Sequence, residues 1–308
     1  MRIFTADQVH AALPWPLLVD HLAQAFAAGA SVPVRHAHPL GGADALLLMP
    51  AWSNDSLGVK LVTVMPDNPR RAMATVQATY LLMDRHSGQP MALMDGEALT
   101  LRRTAAASAL AARYLARPHA RRLLIVGTGH LAPWMARALF ALRPALEQVL
   151  VWGRDARSRT ALATTLAQEG LPASACHDLE AGVRASDIVS CATTSTTPLI
   201  LGAWLQPGTH LDLVGGFKPD MREVDDAGLQ IARICVDTYA GALSESGDLL
   251  QAMQSGSIAR SDVRAELAEL ARGEIHLRQS AQDITVFKSV GTALEDLAAA
   301  QLVWQQTR

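Results

Sequence analysis

The sequence Leu-Leu-Ile-Val-Gly-Thr-Gly-His-Leu-Ala occupies residues 123–132. Its first four residues predict a buried strand, and the apolar positions that continue to Leu142 predict a helix. Gly127 permits the tight turn between them, and Gly129 lets the backbone approach a pyrophosphate. The helix N-terminus offers its N–H groups and positive dipole end to phosphates. The predicted dinucleotide site consists of Gly127, Thr128, Gly129, His130, Leu131 and Ala132.

Strand and helix patterns continue to alternate after this turn. Beyond residue 121, short apolar segments are separated by helical patterns, which is typical of a parallel sheet with helical crossovers. The predicted strands cover residues 123–126, 149–152, 188–192, 210–214 and 234–236. The first hundred residues instead combine a helical pattern over 6–28 with alternating apolar segments and turn signals. We therefore predict an α/β protein in which a Rossmann-type parallel sheet accompanies an α+β unit, with a change near residues 115–121.

Length and composition exclude several classes of protein. The chain has 308 residues, 50% hydrophobic and 18% charged, which suffices for a buried core and excludes a disordered chain. Its 27 basic and 29 acidic residues give a net charge of −2, so no nucleic-acid partner is predicted. No apolar run reaches the roughly 18 residues of a membrane span, so we expect no membrane partner and a cytoplasmic protein. The 3 cysteines are widely spaced and metal-ligand spacing is absent, so no metal site is predicted.

The end of the second predicted strand bears on the choice of nicotinamide cofactor. NAD enzymes usually place an acid there to bind the ribose 2′-hydroxyl, but this chain has Gly153 followed by Arg154. An arginine suits a 2′-phosphate, so NADPH is the preferred cofactor and NADH the alternative. Asp155 has two interpretations: it caps the helix that starts at Ala156, or it binds ribose if the strand ends later.

Three cations before the glycine turn are difficult to explain as scaffold. Lys60 lies in an apolar strand pattern, and its parity with Val62 turns it toward the apolar face, where an unpaired ammonium is costly. We expect it to face a cleft or a buried partner. Arg103 stands at the predicted start of an Ala-rich helix, where its charge opposes the helix dipole and favours an anionic ligand. The third cation, Arg35, lies in a Val-Arg-His segment.

Five motifs follow one another along the chain. They are Gly-Val-Lys-Leu-Val at 58–62, Met-Asp-Gly at 94–96, Leu-Thr-Leu-Arg-Arg-Thr-Ala-Ala at 99–106, the glycine turn at 127–132, and Val-Phe-Lys-Ser-Val-Gly-Thr-Ala-Leu-Glu-Asp at 286–296. In order and spacing they resemble the ornithine cyclodeaminase/mu-crystallin family over essentially the whole chain. The resemblance implies a homodimer. It also implies an NAD(P)-binding Rossmann domain, residues 117–284, inserted in a substrate-binding and dimerisation domain of residues 1–116 and 285–308.

The resemblance further implies roles for single residues. Lys60 and Arg103 are the implied catalytic residues, and with Arg35 they would surround the substrate carboxylate and the reacting nitrogen. Lys60 either binds that carboxylate or gives a proton to the nitrogen, and both roles stay open. Glu245 is a weaker substrate-binding candidate. The implied cofactor-binding residues are Thr104, Gly127 to Ala132, Gly153, Arg154, Asp155, Thr193, Ser195, Val214, Gly215 and Ser289.

One position favours a particular branch of the family. Cyclodeaminases place an aspartate after the glycine pair that follows the fifth strand, whereas this chain has Phe217, whose ring cannot accept an ammonium proton. The sequence Gly-Phe-Lys-Pro-Asp-Met-Arg-Glu at 216–223 resembles the ketimine reductase branch instead. The implied reaction is NAD(P)H-dependent reduction of a cyclic imine carboxylate. The substrate would be Δ1-pyrroline-2-carboxylate, giving L-proline, or its piperideine homologue, giving L-pipecolate.

Three alternative activities stay open at this point. Two are enzymatic and known in the family: ornithine cyclodeamination, and the reductive amination of pyruvate by alanine dehydrogenases. The third is a different class of protein, a small-ligand-binding protein that retains NADPH with little turnover, as mu-crystallin does. The presence of Lys60, Arg103 and the full glycine turn speaks against a purely structural role.

Overall fold

The computed structural model describes residues 1–307, the side chain of Pro69 excepted. The N-terminal elements are β1 (Arg2–Phe4), α1 (Ala6–Ala11), α2 (Trp15–Ala28), β2 (His36–Gly41), β3 (Asp44–Trp52), β4 (Ser56–Val64), a 3-10 turn (Asn68–Arg71), β5 (Val76–Asp84), β6 (Pro90–Asp95) and α3 (Gly96–Leu115). The central elements are β7 (Arg122–Val126), α4 (Ala132–Leu142), β8 (Gln148–Trp152), α5 (Ala156–Gln168), β9 (Ala173–Ala175), α6 (Leu179–Ala185), β10 (Ile188–Cys191), a 3-10 turn (Gly202–Trp204) and β11 (His210–Leu213). The remaining elements are α7 (Asp226–Gln230), β12 (Arg233–Val236), α8 (Tyr239–Glu245), α9 (Gly247–Gln254), a 3-10 turn (Arg260–Asp262), β13 (Val263–Glu266), α10 (Leu267–Ala271), β14 (Thr285–Lys288) and α11 (Ala293–Gln306).

The chain divides into two compact units. The first unit comprises Met1–Thr104 and Thr292–Arg308, and the second comprises Ala105–Gly291. We had predicted the divisions at 116/117 and 284/285. They fall elsewhere because α3 is one continuous helix through Thr104 and Ala105, and because β14 pairs with β11 and β12 in the second unit.

The first unit is built on a six-stranded sheet in the order β1-β6-β5-β4-β3-β2. Neighbouring strands are antiparallel except β1, which runs parallel to β6. The C-terminal helix α11 packs against α2 and against β3 and β4. Alternate residues of β4, Gly58, Lys60 and Val62, are buried, as expected for a strand with one covered face. The C-terminal helix therefore covers the face of the sheet to which Lys60 points.

The second unit contains an eight-stranded parallel sheet in the order β13-β12-β14-β11-β10-β7-β8-β9. Its central strands are buried on both faces, with Leu124, Val189, Leu211 and Val286 fully buried in one core. The chain continues from β7 toward β8 on one side, whereas β10 lies on the other side of β7. Loops at the carboxyl ends of β7 and β10 thus border a topological switch point, where open α/β sheets bind ligands.

The predicted α/β fold class is confirmed. All five predicted strands are present, as β7, β8, β10, β11 and β12, and each differs from its predicted bounds by one residue at one end. Strands β9, β13 and β14 were not predicted. Strand β9 has only 3 residues, and β14 overlaps the start of the motif at 286–296. Within residues 1–307, no helix combines the length and the apolarity needed to cross a membrane.

The buried core of the second unit leads to a prediction for the loss of stability when a core side chain is truncated. Replacing Leu124 by Ala removes a fully buried side chain from β7, so we expect the free energy of unfolding to fall by about 2–5 kcal/mol. Urea denaturation measures this change. The matched control is Ile231→Ala, because Ile231 is 52% exposed and its truncation should change stability by less than about 0.5 kcal/mol. Equal effects of the two substitutions would contradict the placement of the core.

Candidate active site

A buried ion pair joins β4 to α11 in the first unit. Lys60 is 3% exposed, and its Nζ lies 2.9 Å from Oδ1 and 2.8 Å from Oδ2 of Asp296, which is fully buried. Nζ also donates to the Thr100 hydroxyl at 3.3 Å. The strand parity predicted that Lys60 turns inward, and the structure shows its partner. Asp296 lies in the first turn of α11, where the helix dipole favours a carboxylate.

Arg103 extends this pair into a row of alternating charges. Its Nε donates to Oδ1 of Asp296 at 2.9 Å, and its Nη1 donates to Oε2 of Glu295 at 2.6 Å. The expectation that Arg103 stands at a helix start was wrong, because α3 begins at Gly96 and Arg103 lies in its interior. Its anionic partners are side chains of α11. We call Lys60, Asp296, Arg103 and Glu295 the charge quartet; its formal charges cancel.

The pKa values within the quartet follow from burial and from neighbouring charges. Burial lowers the pKa of Lys60 to about 8; Asp296 opposes this shift, and the positive charges of Arg103 and Arg35 add to it. Burial would raise the pKa of Asp296, but Arg103 and Lys60 outweigh it and hold that pKa below its usual value. Lys60 is therefore mainly an ammonium at neutral pH, yet it loses its proton more easily than an exposed lysine.

Several residues of this cluster were not identified from the sequence. Glu295 and Asp296 were quoted within a motif, but without a role. The signal for them is an acidic pair in the first turn after the helix-capping Thr292, in a helix with no other charged residue. Tyr80 stands opposite Lys60 on β5 and is fully buried, and burial together with Asp296 raises its pKa. Its burial beside the quartet could not be inferred from local sequence.

The second unit holds the predicted nucleotide loop. Strand β7 ends at Val126, and Gly127 has a φ of 122°, a conformation that favours glycine. A Cβ atom at Gly127 would meet the carbonyl of Ala192, whereas one at Gly129 would have no atom within 4 Å. Helix α4 starts at Ala132 without a side-chain cap. The loop therefore leaves open space at Gly129, and no side chain caps the start of the helix, so the positive end of the helix dipole faces the loop.

At the tip of β8, Asp155 has the helix-capping role that was one of its two interpretations. Its Oδ1 accepts hydrogen bonds from the backbone N–H and the hydroxyl of Ser158 at 2.7 and 2.6 Å, so it caps α5. These bonds also lower the pKa of Asp155. Arg154 is exposed. Arg159, in α5, donates to the carbonyl of Gly153 at 3.3 Å. Two arginines thus flank the strand tip, while the acid is engaged in the helix cap.

The other predicted cofactor residues of the second unit follow parallel strands. Thr193 and Ser195 come after β10, and the Ser195 N–H donates to the Thr193 hydroxyl at 3.2 Å. Val214 and Gly215 come after β11. Because both strands are parallel neighbours, these four residues leave the sheet at one edge.

Four predicted site residues lie outside that pair of loops. Ser289 follows β14, and its buried hydroxyl donates to Asp237 at 2.9 Å. Glu245 is the last residue of α8 in the second unit, so it is not part of the charge quartet. Thr104, the last residue of the first unit's N-terminal segment, is buried in α3, and half-buried Arg35 precedes β2. The charge of Arg35 acts on Lys60.

Comparison with known families agrees with these features. The model of the Ornithine cyclodeaminase/mu-crystallin family matches residues 3–308. The chain belongs to this family. It is 36% identical over 311 residues to the Δ1-pyrroline-2-carboxylate reductase of Colwellia psychrerythraea, covering 98% of each chain.

Two solved structures are similar along almost the whole chain. The Δ1-pyrroline-2-carboxylate reductase of Thermococcus litoralis, in complex with NADH and L-proline, has a TM-score of 0.94 and 31% identity, with 99% of this chain and 97% of that chain covered. An archaeal alanine dehydrogenase dimer with bound NAD has a TM-score of 0.93 and 28% identity, with 99% and 95% covered.

The charge quartet predicts how Lys60 responds to the loss of its partner. In Asp296→Asn the ammonium keeps Arg103 and Arg35 nearby but loses its counter-charge, so we expect the pKa of Lys60 to fall below 8. Carbon-13 labelling of lysine measures this directly, because the chain has only Lys60, Lys218 and Lys288. The control Asp67→Asn removes an exposed carboxylate of the same unit and should leave the Lys60 titration unchanged. An unshifted Lys60 in Asp296→Asn would refute the pairing.

Proposed function

We propose that this protein is an NAD(P)H-dependent ketimine reductase that acts on Δ1-pyrroline-2-carboxylate, with the piperideine homologue as a second substrate. The observation that carries the proposal is the buried ammonium of Lys60, which Asp296 holds in place. Burial lowers the pKa of this ammonium to about 8. The glycine turn of the second unit, with Gly127 at a positive φ and open space at Gly129, supports a dinucleotide cofactor. Similarity to two Δ1-pyrroline-2-carboxylate reductases supports the substrate class.

The reaction needs one hydride and one proton. A reduced nicotinamide, held by the residues assigned below, would supply the hydride to C2 of the imine, and the C=N electron pair would move onto the ring nitrogen. That nitrogen then takes a proton, and the products are the cyclic amino acid and oxidised cofactor. Lys60 is assigned as the proton donor, since a group with a pKa near the working pH is both protonated and acidic enough to transfer its proton. Of its two suggested roles, proton donation therefore fits better than carboxylate binding.

Carboxylate binding is assigned to Arg35 and Arg103. The described hydrogen bonds of Arg103 use its Nε and Nη1, which leaves Nη2 for a substrate carboxylate. Because Asp296 and Glu295 fix the guanidinium, little side-chain entropy is lost on binding. A fixed carboxylate holds C2 and the ring nitrogen in a defined orientation, which is a large part of the catalytic effect when the cofactor carries the chemistry.

NADPH is proposed as the preferred cofactor, with NADH as the alternative. Support comes from Arg154 and Arg159 at the tip of β8 and from the use of Asp155 as a helix cap. The remaining cofactor contacts are assigned to residues 127–132, Gly153, Thr193, Ser195, Val214, Gly215, Ser289 and Thr104, as the family resemblance implies. Glu245 stays a candidate for substrate binding.

A homodimer is proposed as well. Strand β2 lies at an open edge of the six-stranded sheet and all its residues are exposed, among them the apolar Leu40. Val34, just before this strand, is 70% exposed. Exposed edge strands with apolar side chains are usually covered in a stable protein. The similar archaeal alanine dehydrogenase is described as a dimer. The cytoplasmic location stays a prediction.

The substrate proposal is tested by following oxidation of NADPH and NADH at 340 nm. We expect turnover with Δ1-pyrroline-2-carboxylate and Δ1-piperideine-2-carboxylate, and little with pyruvate plus ammonia. Ammonia release from ornithine should be absent, since Phe217 replaces the cyclodeaminase aspartate. Failure of both cyclic imines would reject the proposal. Oxidation with pyruvate and ammonia alone would identify an alanine dehydrogenase, and tight NADPH binding without any turnover would identify a binding protein.

Lys60 sets the expected pH dependence. As pH rises through about 8 the ammonium loses its proton, so kcat/KM should fall on the alkaline side with an apparent pKa near that value. Lys60→Met should lower kcat by at least about 100-fold, the usual contribution of a general acid. The control Lys218→Met removes an exposed lysine and should keep the wild-type profile. A wild-type profile in Lys60→Met would exclude Lys60 as the donor.

Arg154 tests the cofactor preference. In Arg154→Ala we expect the KM for NADPH to rise about tenfold or more and that for NADH to change little, because only NADPH carries a 2′-phosphate. Steady-state kinetics with both cofactors measure the two effects. The control Arg184→Ala removes an arginine that pairs with Glu180 on the surface of α6. An equal change for both cofactors in Arg154→Ala would defeat the assignment.

A further inference from the structure

One buried carboxylate joins the two loops that follow β10 and β11. Glu223 is fully buried, and its Oε1 accepts the N–H of Thr193 at 2.8 Å while its Oε2 accepts the N–H of Gly215 at 2.8 Å. Thr193 follows β10 and Gly215 follows β11. Both carboxylate oxygens are thus used to hold the backbones of two separate loops at the same edge of the sheet.

Glu223 is itself held in place by a second buried carboxylate. Oδ1 of Asp248, in the first turn of α9, accepts the N–H groups of Glu223 and Val224 at 2.7 and 3.1 Å. Oδ2 of Asp248 lies 2.9 Å from Nζ of Lys288, the last residue of β14, and both side chains are fully buried. The carboxylate of Glu223 is therefore aimed by a network and has little freedom to turn away from the two loops.

The backbone around Glu223 is packed too closely for other side chains. A Cβ atom at Gly215 would meet the carbonyl of Thr193 and Oε1 of Glu223, and one at Gly216 would meet Oδ2 of Asp248. These contacts are with backbone and with fixed carboxylates, which cannot move aside cheaply. The glycine pair thus allows the loop after β11 to pack closely against the loop after β10 and against the carboxylates of Glu223 and Asp248.

The arrangement depends on the protonation state of Glu223. Burial raises its pKa to about 7, Lys288 opposes the shift, and Asp248 adds to it. The other titratable groups nearby are Cys191 on β10, whose own pKa is raised, and Asp212 on β11, whose pKa burial raises to about 6. An ionised carboxylate accepts both N–H groups. A protonated one turns one oxygen into a donor that faces another donor, so it can hold only one loop.

We propose that Glu223, as a carboxylate, is a positioning residue that holds the loops of Thr193 and Gly215 in the conformation that binds the nicotinamide half of the cofactor. The inference rests on the proposed binding of NAD(P)H by these loops, and it assigns Glu223 no contact with the cofactor. It also gives a function to a buried cluster of charges that would otherwise be a cost to the fold.

Proton linkage gives the sign of the effect. A raised pKa means that the folded protein without cofactor holds a proton on Glu223 below about pH 7. If only the ionised form binds cofactor well, binding releases this proton and the affinity falls as pH decreases through 7. With a pKa near 7 the ionised fraction is roughly one in eleven at pH 6 and ten in eleven at pH 8. The dissociation constant should therefore be about tenfold larger at pH 6.

The test is the dissociation constant of NADH, measured by fluorescence between pH 6 and pH 8. NADH is the probe because it lacks the 2′-phosphate, which itself titrates in this range. We expect the wild-type protein to bind NADH about tenfold more weakly at pH 6 than at pH 8. Glu223→Gln should bind NADH at pH 8 at least as weakly as the wild type does at pH 6, because its side chain is neutral at every pH.

The matched control is Glu180→Gln, the same change at an exposed position of α6. It should retain the wild-type affinity and its pH dependence. If wild-type affinity does not weaken toward pH 6, or if Glu223→Gln binds NADH as the wild type does, the inference is overturned. Should Glu223→Gln not fold, the wild-type titration alone decides. NADH binding with the expected pH dependence, in a protein that reduces no imine, would support the inference and reject the proposed function.

Discussion

The ion pair of Lys60 with Asp296 is the constraint on which the first unit depends. An ammonium can be buried on β4 only if a carboxylate meets it, and that carboxylate is supplied by a helix from the far end of the chain. The C-terminal segment must therefore return to the N-terminal sheet. Arg103 and Glu295 complete the charge balance, so four side chains on three elements have to be in place together. The same network that permits the burial also brings the pKa of the lysine into the range useful for proton transfer.

The two units use buried charge in different ways. In the first unit the formal charges of the quartet cancel, and the network fixes side chains that are proposed to contact the substrate. In the second unit Lys288 and Asp248 pair, and Glu223 directs its carboxylate to backbone N–H groups. That network fixes loops. Both are costly to desolvate, and in each case hydrogen bonds to the carboxylates offset part of the cost.

The features that could be predicted from the sequence are those that depend on residues close together in the chain. The glycine turn at 127–132 and the alternating strands and helices identified the α/β class, because turn conformation and apolar periodicity act over a few residues. The inward direction of Lys60 followed from strand parity. What could not be predicted were contacts between distant segments: the partners of Arg103 on α11, the addition of β14 to the second sheet, and the role of Asp248 beneath Glu223. The point where α3 begins was also misjudged, since Arg103 resembled a helix start and lies in the interior.

The close packing at Gly215 and Gly216 has an evolutionary consequence. Neither position can acquire a side chain without displacing fixed carboxylates or backbone, so natural variation is closed to both. Residue 217 is the first after the glycine pair that can present a side chain, and Phe217 is 40% exposed. This is the position at which cyclodeaminases are expected to carry an aspartate. The packing at the glycine pair thus leaves residue 217 as the nearest position at which this loop can change its side-chain chemistry.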